Sequence, residues 1–134
     1  MDDVERAFRA ACEARERAYA PDSGLRVGAA IKAKGDDRIF AGCNVENASY
    51  GATICAERSA VMSLVSQIGR RELEVVVVVT EADPPSAPCG LCRQVLAEFG
   101  GGDLPVYLAT PAGIVERTTL GELLPRRFDL STRR

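Results

Sequence analysis

Apolar positions change their period along the chain, and the changes mark the elements. Between residues 3 and 19, Val4, Phe8, Ala11, Cys12 and Ala18 recur at roughly helical intervals among charged neighbours, which predicts an amphipathic helix. Pro21-Asp22-Ser23-Gly24 ends it. Val27 to Ala33 and Arg38 to Cys43 flank the turn-rich Lys34-Gly35-Asp36-Asp37, the pattern of a β-hairpin. Asn44 to Thr53 is polar and shows no sustained period, so it reads as a loop. A second helix is expected from Cys55 to about Ser66, its buried stripe marked by Ala56, Ala60, Val61, Leu64, Val65 and Ile68.

Leu73 to Thr80 contains five consecutive valines. A segment apolar on both faces predicts a central strand covered on each side. After the proline-rich stretch Asp83 to Pro88, a third helix is predicted over Cys89 to Phe99. Pro105 to Thr110 and Ile114 to Thr118 are predicted strands, and Pro111-Ala112-Gly113 between them is short enough to force an antiparallel pair. A short helix, Leu120 to Leu124, stops at Pro125. The order predicts one α/β domain over residues 1–134: a three-layer α/β/α sandwich, with a mixed sheet of about five strands and helices on both faces.

Composition narrows the partners. Of 134 residues, 46% are hydrophobic and 27% charged, with net charge −2 and the two signs interleaved. The one basic cluster is terminal (Arg126, Arg127, Arg133, Arg134), too little to argue for a nucleic acid polymer. No stretch approaches the roughly 20 apolar residues of a membrane helix. The start, Met1-Asp2-Asp3-Val4-Glu5-Arg6, is charged where a secretory signal would be apolar. These features point to a small-molecule substrate and a cytoplasmic setting. Five cysteines, an odd number that includes Cys89-x-x-Cys92, suggest reduced thiols rather than a disulfide framework.

The chain has no histidine. The commonest general base and nitrogen ligand are therefore missing, and a transition-metal site must use thiolates and carboxylates. Cys55 opens one predicted helix, and Cys89 and Cys92 open the next. Helix N-termini favour the ionised thiol. If both helices follow parallel strands, their N-termini lie at one sheet edge, where α/β sites usually form. Three thiolates leave a tetrahedral zinc with one open position, the mark of a catalytic site, whereas a structural zinc would need a fourth ligand. Cys12 and Cys43 read as buried apolar fillers. Either could instead supply that fourth ligand.

Three thiolates on Zn²⁺ carry a net negative charge, which opposes ionising a bound water. Compensation is expected from the helix dipoles and from Arg58, predicted to donate to a ligand sulfur; the alternative is a solvated helix arginine. Glu57 stands two residues after Cys55, where a carboxylate beside a metal-activated water can move protons. By itself it would be only an acidic first-turn residue favouring the helix dipole.

Cys55-Ala56-Glu57 followed by Pro88-Cys89-Gly90-Leu91-Cys92 resembles the signature of the zinc-dependent cytidine deaminases. The similarity runs from about Ala18 to Phe128. It includes Val27-Gly28-Ala29-Ala30, Gly42-Cys43-Asn44-Val45-Glu46-Asn47, Arg93-Gln94-Val95-Leu96 and Glu122-Leu123-Leu124-Pro125, and is strongest to the small homotetrameric members. Members acting on polynucleotides or free bases usually carry histidine where Cys55 stands. The resemblance implies one zinc per subunit on Cys55, Cys89 and Cys92. It also implies attack of zinc-activated water at pyrimidine C4, with Glu57 protonating N3 and then the departing amine. Asn44 and Glu46 would hold the ribose 3′-hydroxyl, and the Ala56 backbone would contact the base. Ala48 and Tyr50 would reach a neighbouring subunit's site near the 5′-hydroxyl, and Phe128 would cover the base. The implied reaction is deamination of cytidine or 2′-deoxycytidine in pyrimidine salvage.

Two positions depart from the family. Asp22 and Leu25 stand where aromatics are common, and the second of these aromatics packs on the pyrimidine. Leu25 fills space but has no π-face, a loss of about 0.5–1.5 kcal/mol for one ring pair. A modified cytosine nucleoside, such as a blasticidin-type antibiotic, is therefore a second substrate reading. A non-catalytic zinc-stabilised module, in which Glu57 would be dispensable, is the reading from another class.

Overall fold

The computed structural model describes residues 1–130. Helix α1 (Asp3–Arg15) starts at Asp2, whose carboxylate accepts from the Glu5 N–H at 2.8 Å. Strands β1 (Gly28–Ala33) and β2 (Phe40–Cys43) form the predicted hairpin. Helix α2 (Ala56–Ile68), strand β3 (Leu73–Val79), helix α3 (Gly90–Phe99), strands β4 (Pro105–Thr110) and β5 (Gly113–Thr119), and helix α4 (Leu120–Leu123) follow. The sheet order is β2-β1-β3-β4-β5, with β3 and β4 parallel and the other neighbours antiparallel. β2, β3 and β4 consequently run in one direction, with β1 reversed between the first two.

The valine run explains the core. Val76 and Val78 face α2 and α3 with Ala29, Ile31, Leu64 and Leu96, while Val77 and Val79 face α1 with Ala7, Ala11 and Ala30. The strand is buried on both sides, as its composition requires, and the three layers form around it.

Two glycines set how closely the helices approach. A Cβ on Gly28 would lie 1.9 Å from the Ala11 carbonyl oxygen of α1. One on Gly42 would lie 2.6 Å from the Ala60 nitrogen of α2. Each glycine lets a helix backbone rest on the sheet, on opposite faces.

The differences from expectation lie at element ends. α1 stops at Arg15 rather than near residue 19, because Tyr19 leaves to pair with the 44–46 backbone (Tyr19 N–H to Asn44 O, 3.0 Å; Glu46 N–H to Tyr19 O, 2.8 Å). β2 begins at Phe40, since the Arg38 side chain is held in the turn by Asp36. The 44–53 segment is not featureless. Val45 pairs with Ile54 in both directions, and Tyr50–Ala52 forms a 3-10 turn. Among the described residues, no helix is long and apolar enough to cross a membrane.

Candidate metal centre and substrate cleft

β2 leads through the 44–54 segment into α2, and β3 leads through the 80–88 loop into α3. Because β2 and β3 share a direction, both helices begin at the same sheet edge. Cys55 is the N-cap of α2 and Cys89 the N-cap of α3, and neither thiol makes a capping hydrogen bond. Their sulfurs remain available to converge. Cys92, one turn into α3, is buried beneath them.

The three Sγ atoms all lie within 4.8 Å of one another, and Cys55 Sγ is 3.8 Å from Cys89 Sγ. Two sulfurs on a tetrahedral zinc at the usual Zn–S length of about 2.3 Å are separated by about 3.8 Å. The spacing fits. Among the described residues this is the one cluster of three or more metal-ligating side chains. Cys43 pairs with Gly28, the residue that meets α1, so it lies on the opposite face of the sheet. Cys12 packs on that face too. Neither can supply a fourth sulfur, and both are half-buried rather than buried as expected.

The charge balance also calls for a dication. Burial pushes the Cys92 thiol well above its ordinary range, and the Glu57 carboxylate and the other thiols add to the rise. For Cys89 burial acts upward as well, but hydrogen bonds from the Cys92 N–H and the neighbouring thiols outweigh it and hold this thiol low. With all three thiols and Glu57 ionised, four negative charges would meet at one point, a set that a bound soft dication would stabilise.

Arg58 Nη2 donates to the Thr53 carbonyl at 3.1 Å and reaches Cys55 Sγ at 3.7 Å. Its partners at Cys55 and then Cys92 hold the guanidinium more firmly charged. The side chain thus points at the sulfurs and not into solvent. Glu57 is 5% exposed, and burial raises its carboxyl above the ordinary glutamate value of 4.5.

A cleft of about 230 Å³ opens directly on these groups. Cys55, Ala56, Glu57 and Cys89 line it together with Asn44, Glu46 and Leu25. Asn44 is 8% exposed. Its Oδ1 accepts from the Val27 N–H and its Nδ2 donates to the Leu25 carbonyl, each at 2.8 Å. Glu46 Oε1 accepts from the Asp22 and Ser23 N–H groups at 2.9 and 3.1 Å, and Glu46 Oε2 from the Ser23 hydroxyl. Those bonds lower the Glu46 pKa, the Ser23 hydroxyl contributing most.

Ala48, Tyr50 and Phe128 do not line this cleft in their own chain. Tyr50 is 78% and Phe128 66% exposed, and Phe128 lies instead with Arg127 near the C-terminal end of α3. Within one subunit Phe128 cannot cover a base bound here.

Sequence reasoning passed over Ser23, Thr53, Thr80 and Ser86, which also border the cleft. Thr80 Oγ1 accepts from the Ser86 N–H at 3.1 Å, bracing the loop before Cys89. Arg93 donates to the Pro88 and Leu123 carbonyls, both at 2.7 Å, fixing the approach to Cys89. Only the turn chemistry of Pro21-Asp22-Ser23-Gly24 could have flagged Ser23.

Residues 1–108 match the family model described as the cytidine and deoxycytidylate deaminase zinc-binding region. The chain is 47% identical over 126 residues to a cytidine deaminase of Sporosarcina psychrophila, covering 94% of this chain and 91% of that one. It is 44% identical over 126 residues to one of Halalkalibacterium halodurans, covering 94% of each. A crystal structure of cytidine deaminase from Burkholderia pseudomallei superimposes with TM-score 0.87 at 45% identity, covering 96% of this chain and all of that one. On a family match over most of its length and relatives at 44–47% identity, the chain belongs to the cytidine and deoxycytidylate deaminase zinc-binding family.

Proposed function

We propose that the protein hydrolyses the C4 amine of cytidine or 2′-deoxycytidine, consuming water and releasing ammonia and the uracil nucleoside. The observation that carries this reading is the convergence of three sulfurs, of which Cys55 and Cys89 line one cleft together with the buried Glu57 carboxylate. Cys55, Cys89 and Cys92 would hold the zinc, which when bound supplies the Lewis acidity that brings a water's pKa toward neutrality.

Glu57 does the proton work. Its raised pKa suits a carboxylate that takes one proton from the attacking water and gives it to the pyrimidine N3. It then takes the remaining C4-hydroxyl proton and delivers it to the amine as the carbonyl forms and ammonia leaves. Arg58 would offset the negative charge of the sulfur set. The Ala56 backbone, at the first turn of α2, would face the base.

The sugar-reading role of Asn44 and Glu46 has a stereochemical basis. A carboxylate offers about four lone-pair sites, and the 22–23 turn already takes three on Glu46. The site left on Oε2 can accept one hydroxyl proton. Asn44, with one N–H still free after donating to Leu25, can donate to that hydroxyl's oxygen. The pair therefore suits a single hydroxyl, the ribose 3′-OH of the proposed substrate.

A modified cytosine nucleoside is the second reading, favoured by Leu25, which borders the cleft without a ring. Ala48, Tyr50 and Phe128, exposed in one chain, would serve neighbouring sites in a homotetramer, testable by light scattering. A thiolate metal site with Cys12 and Cys43 unbridged suits a reducing, cytoplasmic setting.

The purified protein is expected to cause ultraviolet loss with cytidine. Glu57→Gln is expected to keep its zinc and lose about 10²–10⁴ in turnover, the usual contribution of a positioned acid–base group. A zinc-loaded Glu57→Gln protein with parental activity would exclude the assignment. A parent that binds zinc but turns over no cytosine nucleoside would favour the non-catalytic module.

A further inference from the structure

The turn at 22–25 does more than end a helix connection. The Ser23 hydroxyl donates to Glu46 Oε2 and accepts from the Leu25 N–H at 3.0 Å. The Ser23 and Asp22 N–H groups occupy Glu46 Oε1. Two residues on, the Leu25 carbonyl and the Val27 N–H are held by Asn44. One hydroxyl thus joins the carboxylate proposed to read the sugar to the backbone of the residue bordering the base end of the cleft.

We infer that Ser23 is a specificity-determining positioning residue, whose hydroxyl fixes Glu46 so that one acceptor site faces the nucleoside 3′-hydroxyl. This rests on the nucleoside reading above and adds to it a residue that borders the cleft and holds Glu46 by its side chain. Without the hydroxyl, Glu46 Oε2 loses its neutral donor and is free to turn or to take up water. Oε1 keeps its two backbone donors, so the carboxylate stays in the cleft but is no longer fixed in direction. The loss should fall on substrate binding and require a 3′-hydroxyl on the substrate. A merely structural serine would affect every substrate alike.

The experiment compares the parent, S23A and S23T as zinc-loaded enzymes on cytidine and on 3′-deoxycytidine, with melting temperature and zinc content measured in parallel. S23A is expected to lose about tenfold in kcat/KM on cytidine, carried by KM, with kcat held within about twofold. On 3′-deoxycytidine, S23A and the parent should agree within about twofold. S23T keeps the hydroxyl and should behave as the parent. Ser23 is exposed, so S23A is expected to fold and to melt with the parent.

An equal loss on both nucleosides, no loss on cytidine, or an S23T enzyme as impaired as S23A would each overturn the role of Ser23. A parent that deaminates neither nucleoside would instead overturn the nucleoside reading.

Discussion

Replacing Arg58 by glutamine isolates the charge compensation that an all-thiolate zinc site demands. The Nη2 atom is 3.7 Å from Cys55 Sγ. A full charge pair at that distance in an effective dielectric of 20 is worth about 4.5 kcal/mol. Two corrections reduce it. Arg58 is only half-buried, and a bound zinc leaves one net negative charge spread over three sulfurs. About 1.4–2.7 kcal/mol then remains, a ten- to hundredfold change in zinc affinity, in the range found when a residue supporting a metal ligand is removed. Glutamine retains a donor for the Thr53 carbonyl, so the loop before Cys55 should keep its path. Arg58→Lys keeps the charge without the fork and is expected to fall between the two. The assay is competition with a chromophoric zinc chelator at several pH values. The Arg58→Gln midpoint should move to higher pH, since the thiols must ionise without a neighbouring cation. Zinc affinity and turnover both within about twofold of the parent would refute the compensation argument.

In the metal-free protein Glu57→Gln is expected to be stabilising. A carboxyl whose folded pKa is raised contributes stability below its unfolded value, near 4.5, and loses it as pH rises through the folded pKa. The gap in melting temperature should widen from acid to neutral pH and reach about 3 °C or more; a gap independent of pH would show that burial does not perturb this group. Gly28→Ala and Gly42→Ala, whose Cβ atoms would fall 1.9 Å and 2.6 Å from helix backbone, should each destabilise by about 1–3 kcal/mol or more in denaturant melts. Gly51→Ala, with open space around it, is the control, and a similar cost there would discount the close-approach argument. Leu25→Phe should lower KM for cytidine by about two- to tenfold through restored ring stacking. An unchanged or higher KM would place the pyrimidine elsewhere in the cleft.

The fold was legible where one physical signal dominated. Five consecutive β-branched residues predict a strand buried on both faces, and β3 is that strand, with helices packed on either side. Boundaries were less legible because partners distant in sequence set them. Nothing near Ala18 announces that Tyr19 will pair with the backbone at Asn44, 25 residues on. Arg15 shows the same limit. A charged residue at a helix end reads as solvated, yet it is 4% exposed, donating to the Arg26 carbonyl and paired with Glu81.

The site divides along the same line. Cys55, Cys89 and Cys92 were legible because metal chemistry restricts which side chains can serve and how they are spaced, and helix starts at one sheet edge bring them together. Arg58 was legible through the charge that three thiolates impose. Asn44 and Glu46 were legible as residues but not as geometry. Both side chains are engaged by residues 22–27, which leaves Glu46 about one acceptor site and Asn44 one N–H and one lone pair for a ligand. That shortage is itself informative. A carboxylate with four open lone pairs would bind any hydroxyl or cation presented to it, whereas one with three already satisfied accepts a single donor from a single direction. If Glu46 reads the sugar as proposed, selectivity would reside in the turn that occupies three of its acceptor sites as much as in Glu46 itself. Turn chemistry marks Pro21-Asp22-Ser23-Gly24 as a turn, but the contact of Ser23 with Glu46 exists only once the loop has folded back onto the 44–46 segment.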